Sequence, residues 1–208
     1  MDGNGNVFVS DPNNQRIQKF SSAGAFLGKW GSAGTGNGQF DFPWGIAADN
    51  AGNVYVADSG NDRVQKFDAN GTFLAKWGAT GSGDGQLAFP NDVAVDANGN
   101  VYVTDALNHR IQKFSSSGTF LGKWGSQGTG DGQFSFPAFI AARGGKVYVT
   151  DSDADRVQVF SETGSFQAKF GSTGTGDGQF SFPTGVAVDA SGNVFVAEQD
   201  NSRVQKFQ

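Results

Sequence analysis

The chain has no cysteine and a single histidine, His109, among its 208 residues. Disulfides and thiolate metal centres are therefore excluded, and one histidine cannot build a multi-histidine metal site. A cysteine-free chain suits an oxidising or a reducing compartment equally, so the compartment stays undefined. No apolar run is long enough to cross a membrane as a helix, and residues 1–20 lack the basic segment and apolar core of a secretory leader. Cations are also scarce: 15 Lys and Arg stand against 20 Asp and Glu, for a net charge of −5. All of them except Arg143 and Lys146 recur at a fixed step, so they are spread out rather than gathered into one patch. That distribution argues against nucleic acid as a partner. Proline is rare as well, at five residues against 32 glycines, which points to many tight turns.

What the chain does have is a repeat. Arg16, Arg63, Arg110, Arg156 and Arg203 are separated by 47, 47, 46 and 47 residues. Trp30, Trp77 and Trp124 follow the same step, with Phe170 in the fourth such place, and Pro43, Pro90, Pro137 and Pro183 do likewise. The short step reflects a deletion near Arg143-Gly-Gly-Lys146. The units run over about residues 2–48, 49–95, 96–142 and 143–188, with a partial unit at 189–208, roughly 4.5 repeats that begin mid-unit. Periods of this length mark solenoids, propellers or arrays, in which no unit buries its apolar face alone.

Within a unit the pattern predicts four short strands. In the second unit, Asp92–Asp96, Val101–Asp105, Arg110–Phe114 and Thr119–Trp124 are strand-like runs joined by Gly/Asn/Ser turns. A long Gly-rich connector, Gly125–Pro137, then leads to the next unit. No segment shows a 3.6-residue apolar period. Four antiparallel strands and one crossover make a propeller blade, so the fold predicted is all-β, a propeller of four-stranded blades. Ile111 and Phe114 lie an odd number of residues apart and should face opposite neighbours. The repeating Trp should pack between blades.

Eighteen strands are predicted, which no whole number of four-stranded blades uses. Five blades with incomplete first and last members are favoured. The alternatives are four blades, with Gly185–Asp189 pairing beside Val7-Phe-Val9, or part of a larger assembled ring. The incomplete terminal blades allow a monomer or a homo-oligomer.

Residues that obey the repeat read as structural. Asp11/Arg16, Asp58/Arg63, Asp105/Arg110, Asp151/Arg156 and Glu198/Arg203 bracket the same loop in each unit and should pair across it. The D-x-N-G-N turns alternate oxygen side chains, but the Gly comes too early and no distal acid follows for a calcium loop. The G-T-G-D-G connectors lack the Lys and the helix of a phosphate cradle. Asn70-Gly-Thr72 forms a glycosylation sequon. Residues that break the repeat are the candidate binding set: Trp44, Asn91, Asp92, Phe139 and Thr184 follow the connector prolines, and His109 stands where other units have Gln15, Asp62, Asp155 and Ser202. The post-proline residues should ring a central mouth. No catalytic residue, metal or cofactor is assigned.

The phrases GNVYVADSGNDRVQKFDANGTFLAKWG (52–78) and GNVYVTDALNHRIQKFSSSGTFLGKWG (99–125) resemble NHL repeats. The connector GTGDGQFSFP, with GVAVD after it, is similar to the long form of that repeat. The resemblance covers essentially the whole chain. It implies a propeller, most often six-bladed, that acts mainly as a binding platform; a minority of such domains are enzymes or RNA binders. Some NHL-like lyases use metal-bound histidine clusters, a pattern from which this chain departs. The expectation is therefore a non-catalytic binding or scaffold module for a protein, peptide or small ligand, with no membrane partner. A lyase or hydrolase working at the mouth is one alternative, and a truncated or engineered propeller without a ligand is another.

Overall fold

In a computed structural model that describes all 208 residues, the repeat becomes five antiparallel sheets. Blade 1 contains β1 (Val7–Asp11), β2 (Arg16–Phe20) and β3 (Phe26–Trp30). Blade 2 contains β4 (Pro43–Ala48), β5 (Val54–Asp58), β6 (Arg63–Phe67) and β7 (Phe73–Trp77). Blade 3 contains β8 (Pro90–Val95), β9 (Val101–Asp105), β10 (Arg110–Phe114) and β11 (Phe120–Trp124). Blade 4 contains β12 (Pro137–Arg143), β13 (Lys146–Asp151), β14 (Arg156–Ser161) and β15 (Phe166–Phe170). Blade 5 contains β16 (Pro183–Val188), β17 (Val194–Glu198) and β18 (Arg203–Phe207).

The architecture is a five-bladed propeller arrangement in which blade 1 lacks its innermost strand and blade 5 its outermost. The four-blade alternative is corrected: β16 pairs with β17, and β1 pairs only with β2. The strand order in each sheet follows chain order, as short hairpin turns require.

Local chemistry sets the turns. Between β8 and β9, the Asp96 carboxylate accepts the N–H groups of Asn98 and Asn100 at 2.9 and 2.8 Å. Gly99 alone takes a left-handed φ, +80°, while Asn98 does not. The second inner loop, between β9 and β10, is a single 3-10 turn ending at His109 in the left-handed region, φ +53°.

Each core cluster is shared between two neighbouring blades. Val64 and Tyr55 of blade 2 pack with Val101, Val103 and Phe114 of blade 3. Ile111 and Tyr102 of blade 3 pack with Val147, Val149 and Phe160 of blade 4. Ile111 and Phe114 thus serve opposite interfaces. The connectors add a fully buried residue each, Phe40, Leu87, Phe134 and Phe180. The indole of Trp77 sits between Tyr55 and Phe114, with ring centroids 6.3 and 6.0 Å away.

The buried ion pairs tie the connectors down. Arg63 donates from Nε to Asp58 at 2.7 Å, and its terminal nitrogens donate to the carbonyls of Thr35, Gly36 and Gln39 in the preceding connector. Arg110 and Arg156 repeat the arrangement. Asp11–Arg16 and Glu198–Arg203 pair at 2.8 and 2.7 Å in the incomplete blades.

Candidate binding cleft at the inner-strand entrance

Every innermost strand carries a β-bulge directly after its proline. Trp44-Gly45 stands opposite Ala57 alone, Asn91-Asp92 opposite Thr104, and Ala138-Phe139 opposite Thr150. In blade 5, Thr184 is the residue left out of the ladder. A bulge releases side chains from the strict in–out alternation and re-aims them. Of the repeat-breaking candidates, Trp44, Asn91, Asp92, Phe139 and Thr184 fall on these released positions, and His109 does not.

Two of the bulges are held by a threonine. The Thr104 hydroxyl accepts the Asp92 N–H at 2.7 Å, and Thr150 accepts the Phe139 N–H at 2.9 Å. Of the released residues, Trp44, Asn91, Ala138, Phe139 and Thr184 meet in a cleft of about 290 Å³ together with Phe89, Phe136, Phe182, Ser152 and Gln199. Five aromatic side chains converge there: Trp44 and Phe139 from the inner strands of blades 2 and 4, and Phe89, Phe136 and Phe182 from the ends of the three connectors that lead into blades 3, 4 and 5. Trp44 is 41% exposed, unlike the interblade Trp residues, so its ring is open to solvent at the rim.

Of the candidate set, Trp44, Asn91, Phe139 and Thr184 line the cleft, whereas Asp92 and His109 do not. Asn91 and Asp92 also stitch blade 3 to blade 4. Asn91 donates to the Ala138 carbonyl at 2.9 Å, and Asp92 accepts the N–H groups of Ile140 and Val93 at 3.0 and 2.8 Å. Asp92 keeps a little accessible surface, but protein surrounds its carboxylate and no cation pairs with it. Burial pushes its pKa up to about 7, against the opposing pull of the two N–H donors.

His109 acts one layer back. Phe42, Phe89 and Phe182, which precede connector prolines, have left-handed φ of 52°, 52° and 51°. Each donates its N–H to the residue that closes the 3-10 turn of the previous blade: Gln15 at 2.8 Å, Asp62 at 2.7 Å and Asp155 at 2.8 Å. His109 occupies that place before Phe136. Its Nδ1 lies 2.9 Å from the carbonyl oxygen of Ser135, which can only accept, so Nδ1 carries the proton. The Phe136 N–H turns instead to Asp151 at 2.8 Å, and Phe136 leaves the left-handed region.

Phe89, Phe136 and Phe182 were not singled out by the sequence. They obey the repeat, so a search for departures passes over them; the signal that could have found them is an aromatic residue before every connector proline. A larger cavity, about 540 Å³, opens at the opposite end of the channel among the first inner turns. It is lined by turn residues, by the apolar Met1, Ala48, Val95, Ala97 and Ala142, by Asp96, which already holds its own turn, and by Arg143 and Glu162, with no aromatic side chain among them. The aromatic cleft is therefore the candidate site.

Blades of four antiparallel strands joined by long crossovers, sharing their cores pairwise, define a repeat-built β-propeller. The NHL repeat family model matches residues 40–67, 87–114, 134–160 and 180–207, and the chain belongs to the NHL-repeat family. Among solved structures it is similar to a streptogramin B lyase, with TM-score 0.69 and 15% identity over 99% of this chain and 65% of that one. An inactive virginiamycin B lyase from Staphylococcus aureus with quinupristin gives 0.68 and 13% over 98% and 66%. A protein of unknown function from Bacteroides caccae gives 0.68 and 16% over 93% and 67%. The chain spans about two thirds of the length of these proteins, and at such identities the likeness concerns the fold. No curated protein matches the chain.

Proposed function

We propose that this chain is a non-catalytic binding module whose aromatic cleft takes an apolar group of a protein, peptide or small ligand. The observation that carries the reading is the convergence on one cleft of Trp44 and Phe139, at bulged positions of the inner strands, with Phe89, Phe136 and Phe182, each immediately before a connector proline. Largely apolar clefts with a few polar groups are the usual form of small-ligand and side-chain sites. Ser152, Thr184 and Gln199 supply those groups here.

An apolar fluorescent probe, anilinonaphthalene sulfonate, tests the cleft. Trp44→Ala with Phe139→Ala should weaken its binding by about tenfold, the scale expected when two aromatic anchors are lost. Unchanged probe binding by a folded double variant would sink the reading. Because the terminal blades also expose apolar surface, the titration is repeated on a Val9→Lys/Val204→Lys background.

The lyase reading draws on the shared fold. One of the similar structures is a catalytically inactive histidine-to-alanine variant of virginiamycin B lyase. The only histidine of this chain lies outside the cleft lining and directs Nδ1 to Ser135, which favours binding over chemistry. Incubation with quinupristin, followed by chromatography, should leave the compound unaltered; turnover would instead support the lyase reading.

A further inference from the structure

The two end blades expose the two halves of an interface that the molecule builds four times internally. On the face each blade turns to its successor, the residue after the repeating Arg is sealed in blades 1 to 4: Ile17, Val64, Ile111 and Val157 are all 0% exposed. Val204 holds that place in blade 5 and is 65% exposed. On the opposite face, Val56, Val103, Val149 and Val196 are 0% exposed, whereas Val9 in blade 1 is 41% exposed.

Polar fittings are left open in the same way. Lys19, Lys66 and Lys113 each reach the following blade and donate to a turn carbonyl, of Ala69, Ser116 and Glu162, at 2.8 to 3.1 Å. Each of these lysines also lies over an aromatic ring of its own blade. Lys206 lies over Phe195 in the same pose, 5.9 Å from the ring centroid, with no following blade to receive it. The matching turn carbonyl one repeat back from Ala69 belongs to Ser22, on the open face of blade 1. Gly24 tells the same story from the other side. Its equivalents Gly71, Gly118 and Gly164 lie against Trp30, Trp77 and Trp124 of the preceding blade, while Gly24 has nothing within 4 Å.

We propose that the open face of blade 5 docks on the open face of blade 1 of a second copy of this chain, with Val204 against Val9 and Lys206 donating to the Ser22 carbonyl. A second copy is the occupant because each chain carries both complementary halves, shaped by the same repeat as the four internal interfaces. The contact is head-to-tail, so each copy keeps one free end for the next. It lacks the outer-strand Trp and the connector Phe or Leu of the internal interfaces, and is therefore reversible and concentration-dependent.

Sedimentation velocity over about 1 to 200 micromolar, a range spanning weak to moderate affinities, should show wild-type mass rising above the monomer. Val204→Lys and Val9→Lys alter exposed positions, so folding is retained, and each buries an unpaired charge in the proposed contact. Each variant alone should stay monomeric, weakened by at least about tenfold. Mixed in equal amounts, they should form a dimer and nothing larger, since Val204→Lys keeps an intact blade 1 face and Val9→Lys an intact blade 5 face. A wild-type chain that stays monomeric, a single variant that associates as the wild type does, or a mixture that stays monomeric would each overturn the proposal.

Discussion

His109 Nδ1 donates to the Ser135 carbonyl at 2.9 Å, and this one contact separates the approach to blade 4 from its three counterparts. Where the turn-closing side chain is Gln15, Asp62 or Asp155, an oxygen accepts the following Phe N–H and holds that Phe at a left-handed φ. An N–H donor in that place needs a carbonyl instead, so the Ser135–Phe136 peptide presents its oxygen.

His109→Gln should therefore turn this peptide over and carry Phe136 into the left-handed region. Because one hydrogen bond replaces another while a non-glycine residue accepts an unfavourable φ, stability should fall by about 1 kcal/mol. A crystal structure of the variant checks the peptide. An unchanged Phe136 φ would show that the sequence around Ser135, and not His109, sets its conformation.

The five carboxylate–Arg pairs that bracket the repeated loop differ in burial, and their contributions should differ accordingly. Arg110 and Asp105 are almost completely buried, whereas Arg16 and Asp11 are partly exposed. Arg110→Met leaves Asp105 buried without its cation and frees the connector carbonyls of Ser82, Gly83 and Gln86. It should cost about 3–5 kcal/mol. Arg16→Met, in the open blade, should cost about 1 kcal/mol or less. Urea denaturation of both variants measures the difference, and equal losses would contradict it.

Asp92 gives the fold a pH dependence. Its pKa is about 7 in the folded chain, raised by burial, against an ordinary 3.8. Between these values the folded state holds a proton that the unfolded state releases, so stability falls as pH rises from about 4 to about 7. Above that range the deficit is constant, on the order of 4 kcal/mol. Burial also raises the pKa of Asp151, which adds a slope of the same sign. Glu198 behaves oppositely: burial would raise its pKa, but hydrogen bonds from Arg203, Asn201, Gln205 and the Ser181 N–H outweigh it and lower it. Its contribution is lost on acidification. Thermal melts of Asp92→Asn from pH 4 to 8 should show a flatter profile than the wild type, whatever the change in absolute stability. An unaltered slope would mean that Asp92 does not titrate there.

The blade was legible because its determinants recur. Asp and Arg at a fixed separation, Gly at each turn and Trp at the end of the outer strand together read as one sheet repeated. The cleft was legible only where it breaks the pattern, as at Trp44, Asn91, Phe139 and Thr184. Phe89, Phe136 and Phe182 follow the repeat and were absorbed into it. Asp92 and His109 stood out for a different physical reason: one crosslinks two inner strands, and the other sets the direction of a peptide. Neither role can be read from residue type, because both depend on which backbone groups the neighbouring blade brings close. The five blades with incomplete first and last members were legible from the strand count, and the sheets bear this out.

Trp77 offers a test of how much the interblade indoles contribute. Its Nε1 is buried without an acceptor, as are those of Trp30 and Trp124. A buried donor left unpaired costs about 1–3 kcal/mol, which offsets part of what the larger ring gains by burial. Phe170 occupies the fourth such place and packs against Phe180 and Phe207 at 6.2 and 4.8 Å. Trp77→Phe should therefore cost less than about 1.5 kcal/mol, whereas Trp77→Ala should cost about 3–5 kcal/mol. Gly118 marks the other side of the same contact: a Cβ there would lie 2.7 Å from the Trp77 ring, and the residue sits at φ +87°. Gly118→Ala should destabilise by well over the ~1 kcal/mol of left-handed backbone alone, while Gly24→Ala, at φ +81° with nothing within 4 Å, should show only that backbone cost. Denaturation midpoints for the four variants rank these effects. A Trp77→Phe loss as large as that of Trp77→Ala would mean that the indole N–H is satisfied in solution, and that the whole ring holds blades 2 and 3 together.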